Sequence, residues 1–360
     1  MKFENYIAPL IRASLDNDLR TIRALATKLI KGLKKDNPEI ASQIAEALNY
    51  HGAGLSSTRS IGYDSLPQDS DSRNELLVVN EPIQIERPFF NEQLFKIIQT
   101  IEDERNNTSK LVSLGLHPIS SILLYGEPGV GKTLLAKYIS GKLNLKFASL
   151  DMATAVSSYL GKTGQNLKKV IEYAKKEPTL LLLDEFDAIA KKRDDSSDLG
   201  ELKRVVNVLL KELEEWPSHS ILIAATNHPE LLDKAIWRRF DTSVEIPLPN
   251  KEIRLKIMEH ELDEIKLDYI NFAVELTHNM SPADIVKICE KTKKQIIMYE
   301  KEPNKVILEE IANSKPLNDK EFNIRFTNIA VKDLKMTYRE VAGILGKSVS
   351  SIQYYLKKGE

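Results

Sequence analysis

Five short apolar runs, separated by longer stretches of helical periodicity, constrain the fold of this chain most strongly. The runs read "SSILLYG", "LKFASLD", "TLLLLD", "SILIAAT" and "TSVEI", and they lie between about residues 80 and 250. Strands that are apolar on both faces are typical of a parallel sheet with helices on both sides. The sequence therefore predicts an α/β fold built on five buried parallel strands.

Helical periodicity dominates the rest of the chain, apart from one linker. Residues 1–50 show apolar residues at helical spacing, which indicates a small helical module. Residues 51–80 are rich in Ser, Gly and Asp and are typical of a flexible linker. We assign the α/β domain to residues 81–250, an all-helical lid to 251–314 and a helix-turn-helix-like tail to 315–360.

The composition excludes several classes of protein. The 360 residues are 42% hydrophobic and 29% charged, with a formal net charge of -1, so no overall charge draws the chain to nucleic acid or to an anionic membrane. No apolar run reaches the roughly 18–20 residues of a membrane span. The first residues lack the apolar core of a signal peptide, and the single cysteine, Cys289, cannot form an internal disulfide. We therefore expect a cytoplasmic protein.

The stretch "GEPGVGKT" joins the first apolar run to a helical segment. It fits the pattern G-x-x-x-x-G-K-[ST] in the strand-loop-helix context that phosphate binding needs. Backbone N–H groups and the positive helix N-terminus cradle the phosphates, Lys132 reaches their β and γ oxygens, and Thr133 ligates Mg²⁺. The residues predicted to bind ATP are Gly126, Glu127, Pro128, Gly129, Val130, Gly131, Lys132, Thr133 and Asp184.

Polar residues follow two further apolar runs. In "TLLLLDEFDAIA", Asp184 is predicted to hold Mg²⁺ and Glu185 to polarise the attacking water, because ionised groups at a core edge are costly without a partner. Asn227 lies just past the fourth run, where it can orient the water or contact the γ-phosphate. Arg238 and Arg239 are candidates for cations delivered to the phosphoryl group of another subunit, and a surface ion pair is their alternative role.

Together these motifs resemble the AAA family of ATPases over about residues 85–305, and "SPADIVKICEKT" is similar to a stretch of that family's helical lid, with Pro282 in place of the usual Gly. The resemblance implies a sheet with strand order 5-1-4-3-2, a helical lid and a docking role for the N-terminal module. It also implies a ring, usually of six subunits, in which the arginines of one subunit complete the ATP site of its neighbour. Whether Arg238 or Arg239 is the principal arginine stays open.

A second Gly-Lys-Thr triplet occurs in "SSYLGKTGQN", without a preceding glycine-rich wrap and followed by Gly-Gln-Asn instead of an apolar helix. It is therefore not predicted to bind phosphate. Its position matches the AAA pore loop, and Tyr159, Leu160 and Gly161 fit the aromatic-apolar-Gly pattern of that loop. The resemblance implies that these residues grip an extended polypeptide through apolar area and stacking. A tyrosine packed at the base of the loop is the alternative.

The stretch "MTYREVAGILGKSVSSIQYYLKKG" indicates a helix, a turn and a second helix, with Thr337 and Ser348 as caps and Gly346 in the turn. Residues 315–360 hold nine Lys/Arg against five Asp/Glu, which suits contacts with DNA phosphates. A packing or adaptor hairpin is the alternative. The side chains predicted to face DNA are Ser351, Gln353, Tyr354 and Lys357.

Two classes of function follow from these features. The first is a ring-forming, Mg²⁺-dependent ATPase that unfolds or remodels a protein substrate through a central pore. The second is a DNA-directed ATPase, a loader or regulator that uses the tail. The whole chain also resembles bacterial ATPases with a short helical N-terminal module, which are often paired with a subtilisin-like protease and sometimes implicated in phage defence. These resemblances imply ATP and Mg²⁺ as cofactors and a homo-oligomer, and they name no substrate.

Overall fold

A computed structural model describes residues 76–158, 163–191 and 215–358 apart from 264 and 317, together with a few isolated positions. The chain divides into two compact units, Met1–Ser65 and Leu66–Glu360. The predicted N-terminal module, most of the predicted linker and the predicted pore-loop residues Tyr159, Leu160 and Gly161 lie outside the described residues. In the part of the chain that is described, no helix combines the length and the apolar composition that crossing a bilayer requires.

A six-stranded sheet forms the centre of the second unit. Its strands are β1 (Val78–Asn80), β2 (Ser121–Tyr125), β3 (Lys146–Asp151), β4 (Thr179–Asp184), β5 (Ile221–Thr226) and β6 (Thr242–Glu245). The spatial order is β1-β3-β4-β5-β2-β6, and β2 to β6 pair in parallel. The five predicted strands and their order, 5-1-4-3-2 when they are numbered among themselves, are therefore confirmed.

Strand β1 corrects the sequence prediction, because it lies inside the segment assigned to a flexible linker. It pairs antiparallel with β3, with Val78 opposite Ser149 and Asn80 opposite Phe147. A three-residue edge strand is too short to show a period of two, and the short apolar run "LLVV" at residues 76–79 was the available signal. The α/β domain thus includes residues ahead of position 81.

Helices cover both faces of the sheet. They are α1 (Glu92–Asn106), α2 (Thr108–Ser113), α3 (Lys132–Lys142), α4 (Met152–Ser158), α5 (Thr163–Lys176), α6 (Ala188–Lys191) and α7 (Lys234–Trp237), with a 3₁₀ turn at Pro229–Leu231. Alternate strand residues point to opposite faces. In β4, Leu181 and Leu183 join the cluster formed with α4 and α5, whereas Leu180 and Leu182 join the cluster formed with α1 and α3.

The remainder of the described chain is helical. Its helices are α8 (Lys251–Glu261), α9 (Ile270–Leu276), α10 (Pro282–Tyr299), α11 (Pro303–Asn313), α12 (Lys320–Asn328), α13 (Tyr338–Leu345) and α14 (Val349–Lys358), with a π-helical turn at Ile329–Asp333. One hydrophobic cluster runs through all of them, from Ile257 in α8 to Ile352 in α14. The predicted boundary between lid and tail, at 314/315, therefore falls inside a single shared core.

Candidate functional site

The loop between β2 and α3 has a backbone that only glycine adopts readily. Gly126, Gly129 and Gly131 have φ values of 149°, 78° and 101°. A Cβ atom on Gly126 would lie 2.3 Å from the carbonyl oxygen of Ile246, so no larger residue fits there. The loop leads into the N-terminus of α3, whose first backbone N–H groups have no partner within the helix. This arrangement is suited to binding a phosphate group.

Lys132, the first residue of α3, closes this loop. Its Nζ donates hydrogen bonds to the carbonyl oxygens of Gly126, at 2.8 Å, and Glu127, at 2.9 Å. The side chain is buried, and burial lowers its pKa from the ordinary lysine value, while the charges of Asp184 and Asp187 act in the opposite direction. The ammonium group thus lies at the loop mouth with two carboxylates near it.

The end of β4 lies beside the start of α3. Asp184 accepts a hydrogen bond from the Thr133 hydroxyl, with 2.9 Å between Oγ1 and Oδ2, and another from the backbone N–H of Glu185. A hydroxyl and a carboxylate oxygen next to a phosphate loop are hard ligands of the kind that Mg²⁺ prefers. The side chains present at this point therefore fit a magnesium ion.

Glu185 has a strained backbone, with a φ of 50°. Its side chain is exposed, whereas that of the next residue, Phe186, is fully buried against Phe240. Left-handed backbone at a residue other than glycine costs energy and is concentrated at functional sites. The turn after β4 therefore anchors Phe186 in the core and directs the Glu185 carboxylate outward, beside Asp184.

Asp187 is a buried carboxylate that the sequence prediction missed. Its Oδ1 accepts a hydrogen bond from Thr226 Oγ1 at 2.9 Å and one from the backbone N–H of Asn227 at 3.4 Å. Asn227 follows β5, which lies between β2 and β4 in the sheet, so Asp187 ties the Asp184–Glu185 turn to Asn227. The sequence signal that could have identified Asp187 is that it is the third acidic residue in "DEFD", residues 184–187.

The N-terminus of α10 contacts the phosphate loop directly. The backbone N–H of Ala283 donates to the carbonyl oxygen of Gly129 at 3.2 Å, and a Cβ on Gly129 would lie 2.7 Å from Ser281 Oγ. Ser281 caps the helix, accepting a hydrogen bond from the N–H of Asp284. Pro282 occupies the first helical turn, where proline is well tolerated, so its replacement of the family's usual glycine leaves this contact intact.

An apolar cavity of about 110 Å³ adjoins the loop. Its walls include Phe90 ahead of α1, Val130 of the loop, Leu248, Ile253 of α8 and Pro282 of α10. The ring of Phe90 also lies 3.2 Å from the position that a Cβ on Gly131 would occupy. The adjacent aromatics Phe89 and Phe90 were the sequence signal for this cavity.

The two arginines follow α7, at a surface of the α/β domain. Trp237 of α7 packs edge-on against Tyr125 at the end of β2, with 5.1 Å between ring centroids. Asp233 caps the same helix by accepting a hydrogen bond from the N–H of Ala235. Arg238 and Arg239 are both exposed, so their guanidinium groups lie on the outside of a rigidly attached turn.

Of the second Gly-Lys-Thr triplet, residues 161–163, the structure describes only the backbone of Thr163. Helix α4 ends at Ser158, and α5 begins at Thr163, the last residue of the triplet. A phosphate loop follows a strand and leads into a helix, whereas the last described element before this triplet is a helix. The absence of a second phosphate loop and the roles of Tyr159, Leu160 and Gly161 therefore stay predictions.

The predicted helix pair in the tail is present. Thr337 and Glu340 form a reciprocal capping box at the start of α13, and Gly346 ends that helix with a φ of 59°. On α14, Gln353, Tyr354 and Lys357 are exposed as expected. Ser351 is half-buried instead, next to the fully buried Ile352, and its hydroxyl lies 2.9 Å from that of Ser348.

Comparison with known proteins agrees with this geometry. Residues 122–248 match the ATPase family associated with various cellular activities (AAA). An uncharacterized AAA family ATPase, y4kL, of Sinorhizobium fredii is 42% identical over 146 residues, which are 41% of this chain and 44% of that protein. The proteasome-activating nucleotidase of Methanococcus maripaludis is 32% identical over 249 residues, 66% of this chain and 61% of the relative.

A solved structure, that of the FIGL-1 AAA domain, has the same fold, with a TM-score of 0.57, 21% identity and coverage of 72% of this chain and 92% of that chain. The chain spans between 44% and 61% of the length of the two relatives above. The loop, lysine and paired acidic residues at the carboxyl edge of a parallel sheet define a P-loop nucleotide-binding protein. More narrowly, the chain contains an AAA family ATPase domain.

Proposed function

We propose that this chain hydrolyses ATP at the carboxyl edge of its sheet. The observation that carries the proposal is the meeting of three elements: the glycine loop with Lys132, the hydrogen-bonded pair of Thr133 and Asp184, and the exposed Glu185. The phosphates would occupy the loop, and Lys132 would move its hydrogen bonds from the loop carbonyls to phosphate oxygens. The apolar cavity beside the loop would take the base.

Glu185 would accept a proton from the attacking water as its oxygen bonds to the γ-phosphorus and the bond to the ADP oxygen breaks. Asn227, fixed through the Asp187 contacts, would orient that water. Mg²⁺ bound by Thr133 and Asp184 supplies positive charge to the phosphate oxygens. The protein's own contribution is position, because each group is held at the end of a strand or the start of a helix.

Remodelling of a protein substrate is the function we propose for this ATPase. The support is its similarity to proteins named proteasome-activating nucleotidase. Such work would use a homo-oligomeric ring, with six subunits as the expected number, and Tyr159, Leu160 and Gly161 would contact the polypeptide in the pore. A Tyr159→Ala variant should keep basal hydrolysis and lose work on a protein substrate. A subtilisin-like protease partner and a cytoplasmic location stay predictions.

A DNA-directed ATPase, acting as a loader or regulator, is the second candidate. The observation that favours it is the exposed basic face of α14, which includes Lys357 and Lys358 and carries no carboxylate. Binding of DNA by that face and remodelling of a protein by the ATPase domain are compatible with each other.

Glu185→Gln and Lys132→Ala together test the ATPase site. Glu185→Gln should bind ATP and lose roughly 10²- to 10⁴-fold in turnover, because the amide keeps the shape and loses the base. Lys132→Ala should lose affinity for ATP instead. Glu259→Gln, an exposed position on α8, is the matched control and should match the parent in both measurements. If Glu185→Gln turns over at the parent rate, the site assignment is wrong.

The two arginines test the ring. Arg238→Ala and Arg239→Ala should each leave ATP binding nearly intact and lower turnover, since a cation supplied to the transferring phosphoryl group contributes about 10³- to 10⁵-fold in rate. In rings mixed from an arginine variant and Glu185→Gln protein, some turnover should return. It should come from junctions where a subunit with an intact Glu185 meets a neighbour with both arginines intact. Lys234→Ala, on the exposed face of α7, is the control. If Arg238→Ala and Arg239→Ala both keep the full turnover expected of the Lys234→Ala control, the arginines are structural.

A further inference from the structure

Helix α14 presents a face that nothing in the described chain covers. Its exposed residues recur at helical spacing and are Ser350, Gln353, Tyr354 and Lys357, with Lys358 beside them. On the opposite side, Ile352 is fully buried in the core shared with the lid. We propose that this exposed face binds duplex DNA, a function beyond ATP hydrolysis. The proposal deepens the second candidate function above and does not depend on the proposed ATPase mechanism.

Local charge is the first argument. Residues 334–358 contain five Lys/Arg and one Asp/Glu, whereas the whole chain has 51 and 52. The single carboxylate, Glu340, accepts hydrogen bonds from the Thr337 N–H and hydroxyl in the capping box. The excess positive charge is therefore concentrated on this helix pair, as contacts with phosphate groups require.

These basic side chains are also not neutralised by neighbours. In the part of the chain that the structure describes, neither Arg339, Lys347 nor Lys357 takes part in an ion pair. By contrast, Arg325 on α12 pairs with Glu321, one helical turn away. Cations without an acidic partner keep a positive potential at the surface, which attracts an anionic ligand. Here the charge is left for a ligand.

The shape of the helix pair is the second argument. Three residues, Gly346 to Ser348, connect α13 to α14, and the left-handed Gly346 makes the turn. Such a short, glycine-containing turn is typical of helix-turn-helix proteins. With ten residues, α14 is about 15 Å long, and the major groove of B-form DNA, about 12 Å wide, admits one α-helix.

The chemistry of the face favours duplex DNA over other macromolecules. Gln353 and Ser350 can hydrogen-bond to base edges, and Lys357 can reach phosphate. A protein interface would need a larger apolar centre and fewer lysines, and the apolar residues exposed on α14 are Tyr354 (49%) and Val349 (40%), apart from each other. The major groove of double-stranded RNA is too deep and narrow for side chains to read.

The attachment of α14 gives this surface a firm base. Ile352 packs in the same cluster as Leu308 of α11 and Ile288 of α10. The N-terminus of α10 in turn contacts the phosphate loop through Ala283 and Gly129. DNA bound at α14 would therefore be held by the body that also touches the ATP site.

The test is fluorescence anisotropy of the full chain, without nucleotide, on a labelled duplex of about 20 base pairs, roughly two helical turns. The Lys357→Ala/Lys358→Ala variant should bind about tenfold more weakly at roughly 50 mM salt, and the slope of log affinity against log salt should fall by about 1.8. Lys291→Ala/Lys294→Ala is the matched control, since both lysines are exposed on α10 and the net charge changes equally. That control should stay within about twofold of the parent.

Three results would overturn the proposal. They are no binding of the duplex by the parent chain, an equal loss in both double variants, and tighter binding of single-stranded RNA of equal length than of the duplex. The Lys132→Ala chain should bind the duplex as the parent does, so failure of the ATPase proposal would leave this measurement unchanged. Melting temperatures of both double variants equal to that of the parent chain would show that neither disturbs the fold.

Discussion

The α/β domain and the helical lid–tail body place their functional residues in different ways. In the α/β domain, Asp184 ends β4, Asn227 directly follows β5, and Lys132 begins α3, so each group is fixed by the element it adjoins. In the lid–tail body, the surface of α14 is held by Ile352, whose cluster includes Ile257 of α8, far away in the chain. A short motif can therefore locate the first kind of site, whereas the second depends on packing between remote segments.

This difference affects how the tail can be studied. Removing residues 315–360 would take Phe322, Phe326, Val341 and Ile352 out of a core that also contains Ile307 and Leu308 of the lid. The truncated lid would expose apolar surface that is now buried, at about 25 cal/mol per Å². Loss of activity in such a truncation would report a damaged lid, so point variants on the exposed face of α14 are the informative ones.

The largest effect we expect comes from Ile352→Ala. Ile352 is fully buried, and an Ile→Ala change in a core costs about 2–5 kcal/mol. If lid and tail are one body, the variant should speed amide hydrogen exchange in α10 and α11 as well as in α14. Exchange measured by mass spectrometry, together with urea unfolding followed by circular dichroism, checks this.

Two internal references accompany that measurement. Val349→Ala, on the exposed side of α14, should change stability by no more than about 0.5 kcal/mol. Both tryptophans, Trp216 and Trp237, lie in or against the α/β core, so their fluorescence reports that core separately. Faster exchange confined to residues 315–360 would mean that the tail is an independent domain after all.

A smaller effect is expected where the two regions meet, at Gly129. Alanine there would need a φ near 78° and a Cβ 2.7 Å from Ser281 Oγ and 3.0 Å from Ala283 Cβ. The left-handed backbone alone costs an alanine about 1–2 kcal/mol, so we expect Gly129→Ala to bind ATP about tenfold more weakly. Titration with a fluorescent nucleotide measures this, and unchanged affinity would show that the loop and α10 separate without cost when ATP binds.

The features that could be predicted from the sequence are those fixed by local patterns, and the features that could not depend on contacts between remote segments. The five parallel strands and the loop at Lys132 were predictable, because buried strands and phosphate loops have local patterns, whereas the strand order came from the resemblance to the AAA family. Strand β1 was not, since three edge residues show no period. Asp187 was not assigned, because its partners, Thr226 and Asn227, come from another strand. Ser351 was placed facing outward by periodicity alone, whereas in the structure it is half-buried beside the fully buried Ile352.

The smallest effect we expect, and one of opposite sign, is at a second glycine, Gly343. It lies within α13, its φ is not in the left-handed region, and a Cβ there would meet nothing within 4 Å. Alanine in a helix interior is favoured over glycine by about 0.5–1 kcal/mol, so Gly343→Ala should raise the free energy of unfolding by that amount. ATP affinity should not change, which makes it the matched control for Gly129→Ala in the same titration. Urea unfolding decides the sign: a destabilised Gly343→Ala variant would mean that the surface of α13 is covered in solution by a neighbouring subunit, where the described residues leave it open.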